Sequence, residues 1–441
     1  MTNHIIIKNE ICSFNKKINI SSDKSISIRS ILFASQAVGV SEISNLLESE
    51  DVLNALKIIK KLGIYYKKIG GVYKIHGFGV NSFDIKKNTI INAGNSGTLA
   101  RLILGLLVKS KFKIKLIGDK SLSKRDFSRV INPLRLMGAN IKSNNNSLPI
   151  IISGTKFLRP IEYDEKIGSA QVKSCLILGA LNTPGETIIN SKISRNHTEL
   201  MLKFLKYPIK VKNVMGIERI SVKGLNQFKA FKYNVPGDIS SASYFIVLTI
   251  LSKNSHMIIK NVNINNSRIG IIKILNKMGA KIQLKRKKIY NGEEIADIFV
   301  KSIKNLKSVN CPSKLNSSAI DEFLIIFLAA AKAKGISKFK DLGEMNKKES
   351  KRLDLGVKFL KLIGIKVERF KNNIKIHGNP GLKLSGNFEI KNFLKDHRIF
   401  FLSCITALTL GGKWKVHNKE SINTSFPDFL KSLKTLGAKI N

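Results

Sequence analysis

The chain has 441 residues, with 76 Lys and Arg against 30 Asp and Glu and a formal charge of +46. That length accommodates two domains with sizeable cores, and even the most apolar stretches, such as FLIIFLAAA at 323–331, fall far short of the roughly 20 residues that span a bilayer. The opening MTNHIIIKNE has neither the basic start nor the apolar region of a secretory signal, and Cys12, Cys175, Cys311 and Cys404 form no C-x-x-C pair. The expected setting is therefore a reduced cytoplasm, with no disulfide framework, no zinc site and no membrane partner. So basic a chain could bind nucleic acid through its phosphates. However, its lysines are spread throughout, the longest basic run is only Lys285-Arg286-Lys287-Lys288, and Trp414 is the single tryptophan available for base stacking. A compositional drift toward Lys, Ile and Asn, visible even in Ser143-Asn144-Asn145-Asn146, accounts for the charge better, and no nucleic-acid partner is expected.

In chain order, HIIIKNEI (4–11) alternates as a strand does. After it come six strongly apolar helical stretches, each led by a polar turn. The turns are Lys24-Ser25-Ile26-Ser27, Gly94-Asn95-Ser96-Gly97-Thr98, Ser169-Ala170-Gln171, Asp238-Ile239-Ser240-Ser241, Asp321-Glu322 and Asp396-His397-Arg398. From Lys24 through Gly97, Gln171, Ser240 and Asp321 to Arg398 the steps are 73, 74, 69, 81 and 77 residues, a regularity that points to one supersecondary unit used six times. The stretch after each turn is apolar on all sides, so these helices are expected to be buried. Packed side by side with one orientation, they would present their N-termini, with unpaired N–H groups and positive dipole ends, on a common surface that suits anions.

A second series of amphipathic helices interleaves with the first. Five of them end at Gly63, Gly138, Gly279, Gly364 and Gly437, where glycine serves as a left-handed C-terminal cap. The double-length gap between Gly138 and Gly279 is filled by Ser194-Arg195-Asn196-His197-Thr198-Glu199 and LMLKFL, a sixth member without glycine. Lys74-Ile75-His76-Gly77 recurs as Lys375-Ile376-His377-Gly378, so the chain reads as two halves of three units each. His76 and His377 read as structural. Asn234-Val235-Pro236-Gly237 reads as a turn between the third and fourth units. Two crossings between the halves, near Ser21 and near Val235, are expected, which gives a first domain of residues 22–235 and a second of 1–21 plus 236–441.

DKSISIRS, NAGNSGTLAR, SLSKR, GSAQVKS, SRNHTE, VPGDISSAS, DE, NKKESKRL, DHR and SFPDF come one after another from about Ile18 to Lys439. Taken together, they resemble the enolpyruvylshikimate phosphate synthase family. That resemblance implies an α/β fold of two similar domains, each of three βαβαββ units (an inside-out α/β barrel), with buried helices whose N-termini face an interdomain cleft. It also implies transfer of the enolpyruvyl group of phosphoenolpyruvate to the 5-hydroxyl of shikimate 3-phosphate, on the way to chorismate, without metal or organic cofactor; a monomer is expected because the pseudo-symmetry already provides two domains within one chain. By the same resemblance, Lys24, Ser25, Arg29, Ser169, Ala170, Gln171, Arg195, Asp321 and Lys348 bind shikimate 3-phosphate. Lys24, Asn95, Gly97, Arg125, Gln171, Arg352 and Arg398 hold phosphoenolpyruvate. Asp321, Glu349 and Lys24 do the proton chemistry.

Each residue also has a plainer reading. Asp321 could cap FLIIFLAAA, Glu349 could pair with Arg352 three residues on within a helix, and His397 could orient Arg398. The chain departs from the common family pattern at Ser21-Ser22, Ile28, Asp126, Asn196 and Lys351, and Asp126 places a carboxylate beside Arg125. Thr424 stands where some members carry a lysine, so no ligand contact is assigned to it. Two alternatives compete with this reading: the related transferase acting on UDP-N-acetylglucosamine, whose reactive loop cysteine has no counterpart in a Cys175 set inside an apolar helix, and a basic nucleic-acid-binding protein.

Overall fold

The computed structural model describes residues 3–155, 157–391, 393 and 395–441. Its helices are α1 (Lys24–Ala34), α2 (Glu50–Lys61), α3 (Gly97–Leu106), α4 (Ser128–Leu136), α5 (Ala170–Leu181), α6 (His197–Phe204), α7 (Ile239–Leu251), α8 (Gly270–Lys277), α9 (Asn316–Ala319), α10 (Phe323–Ala331), α11 (Arg352–Leu362), α12 (His397–Leu410) and α13 (Phe429–Thr435). The six apolar stretches are α1, α3, α5, α7, α10 and α12, and nearly every residue in them is buried. All nine residues of α10 are buried, and burying each large apolar side chain stabilises by about 1.5–3 kcal/mol, which explains why such a helix needs no polar face.

Five of these helices are started by the side chain that their leading turn supplies. Asp23, Ser96, Ser169, Asp238 and Asp396 each accept a hydrogen bond from a first-turn N–H, which satisfies one orphan donor. The exception corrects an expectation: α10 is capped at Glu322 without a side-chain bond, and Asp321 is not its cap. The amphipathic series also forms, with φ between 77° and 102° at Gly63, Gly138, Gly279, Gly364 and Gly437. In the glycine-less member, Lys206 takes the left-handed place at φ 56°.

Each of the two units has its own hydrophobic core. The first unit comprises Ser22–Val235 with Ile289–Glu293, and the second comprises Met1–Ser21, Pro236–Lys288 and Glu294–Asn441. The short piece 289–293, kept with the second domain in the sequence reading, is the tip of the hairpin Ile282–Tyr290/Glu293–Lys301 and counts with the first unit. Asn234–Gly237 is not a tight turn. Asn234 ends a strand, Val235 donates to the Ser44 carbonyl in the first unit, and Gly237 exchanges hydrogen bonds with the 261–263 segment in the second.

The second repeat shows the βαβαββ unit in its simplest form. Strand Thr89–Asn92 runs parallel to Ile114–Ile117 through α3, and after α4 the hairpin Asn140–Asn144/Ser147–Ser153 pairs antiparallel with it. The third repeats this with α5 and α6. In the first repeat, Asn15–Asn19 precedes α1 but pairs with His256–Asn263 after α7, while Lys232–Asn234 precedes α7 but pairs with Val38–Ser44 after α1. The two crossings thus exchange the parallel edge strands of the first and fourth sheets. In the sixth sheet, the antiparallel place beside Gly411–His417 is taken by the N-terminal strand His4–Ile7, itself bridged from Ile7 to Ile440.

Close helix packing depends on small residues. A Cβ on Gly105 of α3 would lie 2.1 Å from the Cys175 carbonyl oxygen of α5, so any side chain there forces the two helices apart. The echoed Gly77 and Gly378 have a matching reason: a Cβ would meet carbonyl oxygens at the ends of α1 and α10 at 2.3 and 2.0 Å. Gly224 stands in the same relation to the end of α5, a third copy of the signal. Much of the excess positive charge lies on outer strands, where Lys67, Lys68, Lys210, Lys212 and Lys285–Lys288 are exposed.

Candidate active site

In the first unit, the predicted residues cluster at the starts of α1, α3 and α5. Lys24 opens α1, and its ammonium is held 2.8 Å from Asp51 Oδ2 in the first turn of α2. Arg29 is only 3 % exposed. It donates Nε to Thr198 Oγ1 (2.8 Å), Nη2 to Ser174 Oγ (3.0 Å) and Nη1 to the Ser25 carbonyl (3.0 Å), so α1, α5 and α6 are tied together through one guanidinium. Ser169 caps α5, and Ala170 and Gln171 form its first turn. The loop into α5 is stapled by Glu165, whose carboxylate accepts from the N–H groups of Ile167 (3.3 Å), Gly168 (2.5 Å) and Ser169 (2.9 Å). Arg195 is half-buried just ahead of α6.

At α3, two guanidinium groups converge on the helix N-terminus. A Cβ on Gly97 would lie 2.7 Å from Arg125 Nη1 and 2.9 Å from Arg101 Nη1, so the missing side chain is what lets both cations approach. Arg125 donates to Asn95 Oδ1 (3.2 Å), and Asn95 is aimed by its own Nδ2 bond to Asp119 (2.5 Å). Arg101 donates to Gln171 Oε1 (3.0 Å) and to the Asp126 carbonyl (3.0 Å) and lies over the Phe127 ring at 4.8 Å. Gln171 in turn donates to Thr98 Oγ1 (3.0 Å). Two like charges gathered at a positive helix end suit an anion with two or more oxygens, since guanidinium binds carboxylate and phosphate bidentately. The Asp126 carboxylate accepts from the N–H and hydroxyl of Ser128 (2.8 and 2.7 Å), which occupies it at the start of α4.

In the second unit, the predicted residues converge around Arg352, 1 % exposed. Its Nε lies 3.1 Å from Asp396 Oδ2, its Nη1 3.3 Å from Asp321 Oδ1, and its Nη2 against Glu349. Burial alone would weaken the charge on Arg352, but these carboxylates outweigh that and hold it firmly protonated. Lys348 Nζ approaches the same Asp321 oxygen at 3.4 Å, and Arg398 Nη1 donates to the Asp321 backbone carbonyl at 2.6 Å. Asp396 accepts from the Ser350 hydroxyl (2.6 Å) and from the Arg398 N–H (2.9 Å). Burial pushes its carboxyl up, but Arg352, His397 and the Ser350 hydroxyl together more than reverse this, so the net shift is downward. The Glu349–Arg352 pair exists, but not inside a helix: α11 begins at Arg352, so Glu349 sits in the segment ahead of it. His397 is buried with its ring in a T-shaped contact with Phe401, and the Arg398 backbone N–H donates to Asp396.

Several partners lie within the motifs but carry no assignment from the resemblance: Arg101 in NAGNSGTLAR, Ser174 in GSAQVKS, Thr198 in SRNHTE and Asp396 in DHR. The spacing of Arg101 four residues after Gly97, one turn on, is a signal that could have found it. Asp51 and Asp119 lie outside every motif and are legible only in three dimensions. Cys175 is fully buried in α5, and burial pushes its thiol up to about 12, which makes it inert as a nucleophile.

A family model for EPSP synthase (3-phosphoshikimate 1-carboxyvinyltransferase) matches residues 9–433. The 3-phosphoshikimate 1-carboxyvinyltransferase of Ruthia magnifica subsp. Calyptogena magnifica is 41% identical over 429 residues, covering 96% of each chain. That of Petrotoga mobilis is 38% identical over 421 residues, covering 95% of this chain and 96% of its own. Among solved structures, the EPSP synthase from Acinetobacter baumannii superposes with a TM-score of 0.87 at 34% identity, covering 100% of this chain and 99% of that one.

Proposed function

The chain belongs to the EPSP synthase family, and we propose on that footing that it transfers the enolpyruvyl group of phosphoenolpyruvate to the 5-hydroxyl of shikimate 3-phosphate and releases phosphate. The observation that carries the reading is the second unit's cluster of Asp321, Lys348, Glu349, Arg352 and Arg398, five motif residues within one hydrogen-bonded group. In the first unit, Lys24, Ser25, Arg29, Ser169, Ala170, Gln171 and Arg195 are assigned to shikimate 3-phosphate. Asn95, Gly97 and Arg125 are assigned to phosphoenolpyruvate with Lys24 and Gln171. Asp321 and Lys348 also serve the sugar phosphate, and Arg352 and Arg398 the carboxylate and phosphate of phosphoenolpyruvate.

Chemically, C3 of phosphoenolpyruvate takes a proton from Glu349 or Lys24 while the 5-hydroxyl oxygen bonds to C2 and gives its proton to Asp321. The resulting tetrahedral ketal then returns a proton from the new methyl group to the residue that supplied it and expels phosphate, which leaves with the C–O bonding pair, restoring the double bond. Arg352 and Arg398 hold the charge that develops on the leaving phosphate. The competing transferase chemistry on UDP-N-acetylglucosamine relies on a reactive cysteine, and the inert, buried Cys175 argues against it.

We further read the protein as a cytoplasmic monomer. Among the described residues, no helix is long and apolar enough to cross a membrane. Phosphate release with shikimate 3-phosphate and phosphoenolpyruvate together, and with neither alone, tests the reaction. Release that needs UDP-N-acetylglucosamine instead, or salt-sensitive retention of nucleic acid with no release, would overturn it.

A further inference from the structure

Lys173, two residues after Gln171, is completely buried in α5, an unusual place for an ammonium. It lies 2.7 Å from Glu199 of α6 and 2.8 Å from Glu218 of the strand Ile217–Lys223. Burial alone would depress its proton affinity, but the two carboxylates outweigh this and hold it above its ordinary value. None of the three residues has a role in the proposed chemistry. Each of two members does, however, adjoin a residue that grips Arg29: Ser174 follows Lys173, and Thr198 precedes Glu199. Those two hydroxyls are 2.7 Å apart, and both accept from Arg29. The ion pair and the hydroxyl pair therefore stitch the same two helices at the same level, and the guanidinium is seated on that stitch.

We propose that Lys173 is a positioning residue, which with Glu199 and Glu218 pins α6 to α5 so that Arg29, and Arg195 at the approach to α6, are aimed at the shikimate 3-phosphate oxygens. The pin acts through other side chains and touches no substrate. Two long-range polar anchors in one buried spot define a register that apolar packing alone leaves free to slide. The Arg125–Asn95–Asp119 bonds that set the phosphoenolpyruvate anion site join the turn ahead of α3 to the segment after the strand Ile114–Ile117, on separate anchors. The inference rests on the assignment of Arg29 and Arg195 to shikimate 3-phosphate.

The test is steady-state kinetics of the full chain with both substrates. Lys173→Met/Glu199→Gln removes the buried pair together, leaving Glu218, the least buried of the three, to reach water. Its KM for shikimate 3-phosphate is expected to rise about tenfold or more, since small misplacements of positioning groups have effects of that order, while kcat and the KM for phosphoenolpyruvate stay within about threefold. Glu199→Gln alone, which keeps the Lys173–Glu218 bridge, is expected to shift the same constant in the same direction by about threefold. A folded double variant with lower thermal stability but an unchanged KM for shikimate 3-phosphate makes the pin merely structural and overturns the proposal. If the double variant does not fold, an unchanged KM in Glu199→Gln overturns it equally. A wild-type protein that releases no phosphate overturns the assigned reaction itself, whereas an active wild type with indifferent variants overturns only the pin.

Discussion

At the candidate site, Arg29, Arg101 and Arg125 of the first unit and Arg352 of the second meet different kinds of partner. In the first unit, Arg29, Arg101 and Arg125 are gripped by hydroxyls, amides and carbonyls, namely Thr198, Ser174, Asn95, Gln171 and the Ser25 and Asp126 backbone oxygens. In the second, Arg352 is ringed by the carboxylates of Asp321, Glu349 and Asp396. Hydroxyl, amide and carbonyl partners orient a guanidinium without themselves carrying charge, which suits a receptor for anions. Carboxylate partners compensate the charge, and of the three the Asp396 carboxyl is held below its ordinary range beside the guanidinium, which makes a place built of acids and bases rather than of cations alone. One repeated scaffold thus holds arginines in two ways, and the difference lies in which side chains the helices and the segments ahead of them supply.

The sharpest way to break this contrast is in the second unit. Asp321→Ala and Glu349→Ala should each lower kcat by about 10²–10⁴-fold, the usual worth of a placed proton-transfer group, with a native circular dichroism spectrum. Near-wild-type turnover in both would remove the proton-handling role. In the first unit, Arg125→Lys should raise the KM for phosphoenolpyruvate by roughly ten- to a hundredfold, the equivalent of about 1.5–3 kcal/mol for a hydrogen bond to a charged group. Calorimetric binding of shikimate 3-phosphate to that variant should stay near the wild-type value, and an equal loss for both ligands would mean that the two anion sites are not separate.

A subtler change is Gly97→Ala, whose methyl group would press on the tips of Arg125 and Arg101 at 2.7 and 2.9 Å. Glyphosate, which resembles phosphoenolpyruvate in charge but is longer, inhibits sensitive members of this family. Its inhibition constant is expected to rise by a larger factor than the KM for phosphoenolpyruvate. Equal factors would show that the crowding falls on a part of the pocket the two ligands share.

The smallest effect is on stability against pH. Asp396 has a lowered pKa in the folded state, so its contribution is present above the unfolded value near about 3.9 and is lost as pH falls through the lowered one. Lys173 has a raised one, so its contribution is complete below about 10.4 and is lost as pH rises through the folded value. Thermal unfolding of Asp396→Asn should therefore be flatter than wild type on the acid limb alone, and that of Lys173→Met on the alkaline limb alone. An acid limb unchanged by Asp396→Asn would show that other carboxylates dominate it.

Much of this protein was legible as text because its architecture is a repeat. A unit that buries one apolar helix must write that helix in apolar residues and start it with a cap, so the six leading turns and the five C-terminal glycines stand out at near-constant spacing. The motif residues likewise sit at those turns, because a helix N-terminus is where an anion is bound. The features that the sequence could not determine arise from contacts made between distant segments. The exchange of Asn15–Asn19 with Lys232–Asn234, the assignment of 289–293 to the first unit and the use of His4–Ile7 in the sixth sheet are pairings between strands that look alike to any local reading. The same holds for Asp51 on Lys24, Asp119 on Asn95 and the buried Lys173–Glu199–Glu218 group. A carboxylate in the sequence reads the same whether water or a buried cation will face it, and only the packing of the helices decides which.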